Sequence, residues 1–343
     1  MVEPTKLPPR TGLLAGGNWL VDHVKLLDAW PAQDALANIT AVSAGNGGGP
    51  YNVLKDLARL GAPFPLAGIG LVGDDADGRA ILADCAAHRL GTAQLRTVPG
   101  ARTGNTDVMT VAATGRRTFF HDRGANALLA PEHFDFSAAR EKIFHLAYLL
   151  LLTALDAPGP DGRARAAAVL ARARAAGLRT SLDCVSASPE KFRATVAPVL
   201  PEVDILFCND WEAEQLTGLA LGRGTALDRP AVEKSARALV ALGVREVALV
   251  HFPEGACACS AATGEIFWQP AVRLPPAEIA GTAGAGDAFA AGVLLGLHED
   301  WPLPRALELG VCAAAASLRH PTCSEAVAPI AECLALGARF GFN

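Results

Sequence analysis

The sequence predicts an α/β fold: a doubly wound, mainly parallel sheet covered by helices on both sides, with a small β lid. Three observations predict it. Apolar strand-like runs alternate with amphipathic helical stretches over most of the 343 residues. Two early segments, 34–46 and 103–123, lack helical periodicity and break that alternation. A loop of small residues at 281–286 runs straight into an apolar helix, as an anion site requires.

Strands are expected at Leu13–Asp22, Pro65–Val72, Ile143–Leu149, Leu178–Asp183, Asp204–Cys208 and Glu246–His251, each a short apolar run. Between them, Asn52–Leu60 places Val53, Leu57 and Leu60 on one helical face. Gly162–Ala176 is helical and stops at Gly177; Asp228–Leu242 is similar. Ala-rich helices are expected at Leu303–Leu318 and Pro329–Phe340. Thr106–Ala112 and Arg117–His121 flank the turn Ala113-Thr114-Gly115-Arg116, which reads as a β-hairpin, either a lid or an ordinary surface hairpin. With no internal repeat and no low-complexity linker, residues 1–343 are expected to form one domain.

Composition narrows the function classes. Of all residues, 51% are apolar and 19% charged, which supports a large core and excludes a disordered chain. The net charge of -5 and pI of about 5.9 argue against nucleic acid as a partner. No signal peptide or membrane-length apolar run is apparent, so a soluble, cytoplasmic protein is expected. The eight cysteines include no CxxC pair and read as buried thiols.

Four clusters carry candidate chemistry. In Gly281-Thr282-Ala283-Gly284-Ala285-Gly286-Asp287, converging backbone N–H groups at a helix start would make an anion hole. An acid at that positive end suits a base that takes a proton from an attacking hydroxyl, or else a helix N-cap. Gly45 to Asn52 is glycine-rich and ends on Asn52, which offers a donor and an acceptor to a hydroxyl or caps the next helix. Asp22, expected at the end of the first strand, could hold a polyol or lie in a surface turn. Asn209 and Glu212 share a helix face, either as indirect Mg²⁺ ligands or as plain capping residues.

These pieces occur in an order that resembles the PfkB/ribokinase-like kinases from about residue 12 to 340: Gly17 with Asp22; Gly47-Gly48 through Asn52; Gly73-Asp74-Asp75 with Gly78; Gly124-Ala125-Asn126; Asn209 with Glu212; and Gly284-Ala285-Gly286-Asp287. The resemblance implies a ribokinase-like, Rossmann-type core with a lid from segments of about 15–25, 34–46 and 103–123. It implies ATP and Mg²⁺ acting on a sugar or sugar-like hydroxyl. Asp287 is then the base and Gly284, Ala285 and Gly286 the anion hole. Asp22, Gly48 and Asn52 contact the substrate, Thr282 and Gly255 the nucleotide, and Asn209 and Glu212 the metal through water. A nucleoside kinase of the same fold and a catalytically idle binder are the alternatives.

Three positions depart from that pattern, all on the nucleotide and cation side: Gly281 where the family usually has Asp, His251-Phe252-Pro253 in place of Thr-x-Gly, and Arg319-His320-Pro321-Thr322-Cys323-Ser324 in place of a glycine-bearing loop. Little dependence on K⁺ is therefore expected, unless another acid such as Glu325 replaces the missing one. His251 could face the nucleotide or be structural, and His121 to Arg123 could reach the substrate or form a solvated edge. A homodimer is expected through exposed lid-strand edges.

Overall fold

The computed structural model describes residues 9–343. Its strands are β1 (Leu13–Gly17), β2 (Leu20–Leu27), β3 (Ile39–Gly47), β4 (Leu66–Gly73), β5 (Gly91–Val98), β6 (Gly104–Val111), β7 (Arg117–Asp122), β8 (Ile143–Leu149), β9 (Arg179–Cys184), β10 (Ile205–Asn209), β11 (Val247–Phe252), β12 (Gly255–Ser260) and β13 (Ile266–Pro270). Nine form one sheet in the order β13-β12-β11-β10-β9-β8-β1-β4-β5. Its seven strands from β11 to β5 run parallel, and β12 and β13 add an antiparallel edge.

Burial on both faces explains why these strands read as continuous apolar runs. Leu13, Ile205 and Phe207 face a layer that includes helices Gly49–Leu60, Ala285–His298 and Leu303–Ser317. Leu14, Leu206 and Cys208 face the opposite layer, with helices Ala166–Ala175 and Arg229–Ala241. Small residues let two helices of the first layer meet backbone to backbone: a Cβ on Gly292 would lie 2.8 Å from the Gly310 Cα. The eight cysteines are free and buried. No helix among the described residues is long and apolar enough to cross a membrane.

The second sheet, ordered β3-β2-β6-β7, fits the small β lid. Gly115, at φ +65, turns the β6–β7 hairpin. One expected strand is corrected here. Leu13–Asp22 is not continuous: the chain breaks after Gly17, and Trp19 buries its indole under the sheet, donating to the Ile69 carbonyl at 2.9 Å. Beyond the break the chain enters β2, so Asp22 lies on the lid and not at the end of a core strand. The helix expected from Gly162 starts only at Ala166, because a Pro158–Ala164 bridge occupies the preceding residues.

Candidate active site

The carboxyl ends of β8 to β11 point at the start of helix Ala285–His298. Gly284 precedes that helix at φ +76, and a Cβ there would lie 2.5 Å from the Cys323 Cβ, so only glycine fits. Asp287 is the third residue of the helix and not its N-cap. It is 4% exposed. The Tyr148 hydroxyl donates to its Oδ1, and the Asn52 amide donates to its Oδ2 at 2.8 Å. Burial pushes this carboxyl up to about 6, against the two hydrogen bonds that hold it down.

Asn52 spends its other end on protein as well: its Oδ1 accepts from Asn46 Nδ2 at 2.7 Å, and the same Nδ2 donates to Ser324 Oγ at 2.9 Å. Asn52 is 3% exposed. Both ends of the Asn52 amide are thus engaged by protein groups, one of them Asp287. Asn52 does not cap its helix, which starts at Gly49 with Gly48 as N-cap. Gly48, at φ +87, is pressed on the Asn18 carbonyl, and Gly47 is the glycine that abuts the Asp22 carboxylate.

Between the lid and loops 279–283 and 321–323 lies a cavity of about 450 Å³, lined among others by Asp22, Val24, Asn46, Val108, Arg117 and Thr282. Asn46 presents a buried Oδ1 with no partner. Burial pushes Asp22 up to about 6; hydrogen bonds from Thr106 and Cys323 oppose this, and the Asp287 charge adds to it.

A second cavity, of about 580 Å³, opens on the other side of the same loop. Thr282, Ala285, Gly286, His251, Gly255 and Asn209 line it. Thr282 borders both cavities, and Ala285 and Gly286, the first two residues of the helix, line the second; Asp287 itself lies buried behind them. His251 lies beneath Gly286, and burial lowers its imidazole to about 4, so it is neutral at physiological pH. Gly281 has no room for a larger side chain: a Cβ would lie 2.9 Å from the His320 carbonyl. Glu325 is engaged by Lys55 at 2.9 Å and Arg59 at 3.4 Å, which removes it as a free replacement acid.

Asn209 and Glu212 form a reciprocal capping box: Asn209 Oδ1 accepts from the Glu212 amide at 2.9 Å, and Glu212 Oε2 accepts from the Asn209 amide at 3.0 Å. Ser186 donates to the remaining Glu212 oxygen at 2.9 Å. Burial pushes Glu212 up to about 7, and Asp183 at the end of β9 is raised by burial and then by Glu212 and Asp287. Among the described residues, no His, Cys, Asp and Glu side chains gather in threes as a metal centre.

Tyr148, Asn46, Ser324, Asp183 and Arg117 join the site without having been singled out from the sequence. Tyr148 is one of two tyrosines in the chain, and a hydroxyl inside an otherwise apolar strand was the signal available. The others carried none, because they reach the site only through the lid and loop packing. Arg123 turns away to Thr153 and the Leu150 carbonyl, and His121 bonds Thr106 at 3.1 Å.

The model for "pfkB family carbohydrate kinase" matches residues 18–331. Over 100 residues the chain is 37% identical to a 5-dehydro-2-deoxygluconokinase of Geobacillus kaustophilus, a match spanning 29% of each chain. It is 28% identical over 326 residues to an ATP-dependent ribose-1-phosphate kinase of Halopiger xanaduensis, covering 94% of this chain and 96% of that one. Among solved structures, Arabidopsis thaliana ribokinase complexed with ribose and ATP superposes with a TM-score of 0.76 at 20% identity, covering 96% and 98%.

Proposed function

The chain belongs to the pfkB family of carbohydrate kinases, and on that premise we propose that it transfers the terminal phosphoryl group of ATP to a hydroxyl of a sugar or sugar-like acceptor, with Asp287 as general base. One observation carries the reading: a buried carboxylate, gripped by Tyr148 and Asn52, sits in the first turn of an uncapped helix whose approach loop borders both cavities at Thr282.

Asp287 takes the proton of the acceptor hydroxyl as its oxygen forms a bond to the terminal phosphorus and the bond from that phosphorus to the ADP oxygen breaks. A carboxyl near 6 is largely ionised at neutral pH yet basic enough to accept that proton. The amides at Gly284, Ala285 and Gly286 offer donors for charge on the transferred group. On the acceptor side, Asp22 and the unpartnered Asn46 Oδ1 suit sugar hydroxyls. On the nucleotide side, Thr282 and Gly255 line the larger cavity. Mg²⁺, when bound with ATP, would offset phosphate charge. Its contacts to Asn209, Glu212 and Asp183 would run through water, since the capping box engages the first two. Incubation with ATP, Mg²⁺ and a panel of sugars and nucleosides tests the reading: acceptor-dependent ADP formation supports it, and none with any acceptor refutes it.

A further inference from the structure

The register of the lid places its inward side chains in three rungs. Asp22 pairs with Gly45 and Thr106; Val24 with Ser43 and Val108; Leu26 with Ala41 and Thr110; and Thr110 pairs in turn with Arg117. Asp22, Val24, Leu26, Val108, Thr110 and Arg117 all line the acceptor cavity. The rung of Arg117 thus lies four residues, about 13 Å of strand, beyond the rung of Asp22. The cavity has a polar reacting end, an apolar middle and a cationic far side.

Arg117 is the only Lys, Arg or His among the described residues lining this cavity. Its guanidinium donates to Thr282 Oγ1 and lies 5.6 Å from the Phe119 ring centroid, and it forms no ion pair among the described residues. A guanidinium carries five N–H donors, so most of these remain unspent. Burial lowers its basicity, and the charges of Cys323 and Asp22 across the cavity only partly oppose this. Its cross-strand neighbour supplies an independent observation: the buried Thr110 hydroxyl has no hydrogen-bond partner. A forked cation and an idle hydroxyl on one rung match a carboxylate or phosphate. Arg117 lines the acceptor cavity and not the nucleotide cavity, although Thr282, which its guanidinium bonds, borders both.

We propose that the acceptor is a sugar carrying an anionic group, a carboxylate or a phosphate, held by Arg117 and Thr110 across the pocket from Asp22. This rests on the acceptor-cavity reading above. Calorimetric titration of the nucleotide-free protein with three ligands of one carbon skeleton tests it: a neutral sugar, its sugar acid and its monophosphate. At least one anion should bind about 10- to 100-fold more tightly than the neutral sugar, the scale of a hydrogen bond to a charged group. The tighter of the two identifies the anion. Arg117→Gln should erase that preference while leaving the neutral sugar within about 3-fold, and Arg117→Lys should restore part of it. Equal binding of all three, or equal weakening of neutral and anionic ligands by Arg117→Gln, overturns the proposal. The kinase reading fails separately: an anion that binds through Arg117 yet never yields ADP with ATP sinks that reading and leaves this one standing.

Discussion

The nine-stranded sheet and the four-stranded lid surround the same site but are buried in opposite ways. Strand β8 is enclosed along nearly its whole length, with helical layers on both faces. Strand β3 is exposed over its first six residues, and its burial begins only where it enters the site at Gly45 to Gly47. The core fixes Asp287 through side chains that cannot move without repacking: Tyr148 from β8, and Asn52 from a helix wedged against the sheet. The lid is one layer thick. Its inner face supplies Asp22, Asn46 and Arg117 to the cavity beneath it, while Trp30, Val42 and Phe120 stay half or more exposed. The proposed function thus divides chemistry and acceptor choice between the enclosed sheet and the thin one.

The largest way to test that division is to damage the core side. Asp287→Asn preserves shape and removes basicity, so kcat should fall by ~10²–10⁴ while the melting temperature holds. Near-normal turnover would take the role away from Asp287. On the lid side, Asp22→Ala should raise the KM for the acceptor by about 10-fold or more and leave the KM for ATP within about 3-fold. An equal effect on both would show that lid and core are not separate in function.

The exposed apolar side chains of the lid sharpen the comparison further. With β3 and β7 as open edges, pairing with a second copy would cover them, and a homodimer is expected by light scattering. Phe120→Asp should shift it toward monomer with kcat little changed; a wild-type monomer at working concentration contradicts the expectation. The smallest effect concerns K⁺. Gly281 offers neither a carboxylate nor space for one, and Glu325 is held by Lys55 and Arg59. Replacing KCl by a tetramethylammonium salt at constant ionic strength should change the rate by less than about 2-fold. A large, saturable activation by K⁺ would show that backbone carbonyls suffice.

The core was legible in the sequence because burial on both faces writes itself as unbroken apolar runs, as in Ile143–Leu149. The loop ending in Asp287 was legible because glycine is the residue that permits φ +76 before a helix. The lid was harder. Asp22 lies so close behind an apolar run that the break at Asn18 and Trp19 did not show, and only the pairing of β2 with β3 and β6 reassigns it. Asn52 was recognisable as a site residue, but its role depends on Asn46 and Ser324, the latter 272 positions away in sequence from Asn52. No local pattern encodes such a contact, and Arg117 looked like any hairpin-edge arginine for the same reason.

The proposed base is a buried carboxyl whose proton affinity is set by burial and by hydrogen bonds from Tyr148 and Asn52, and the pH dependence of kcat/KM tests that proposal directly. Asp287 must be ionised to act, so the rate should be level at neutral pH and fall as pH drops through about 6. The Asp22 carboxyl, also pushed up to about 6, should contribute to the same limb. Tyr148→Phe removes a donor that favours the ionised form, so the Asp287 limb should move upward by about 0.5–1 pH unit. A rate that stays level down to pH 5, with no upward shift in Tyr148→Phe, would contradict the assignment of Asp287 as the base.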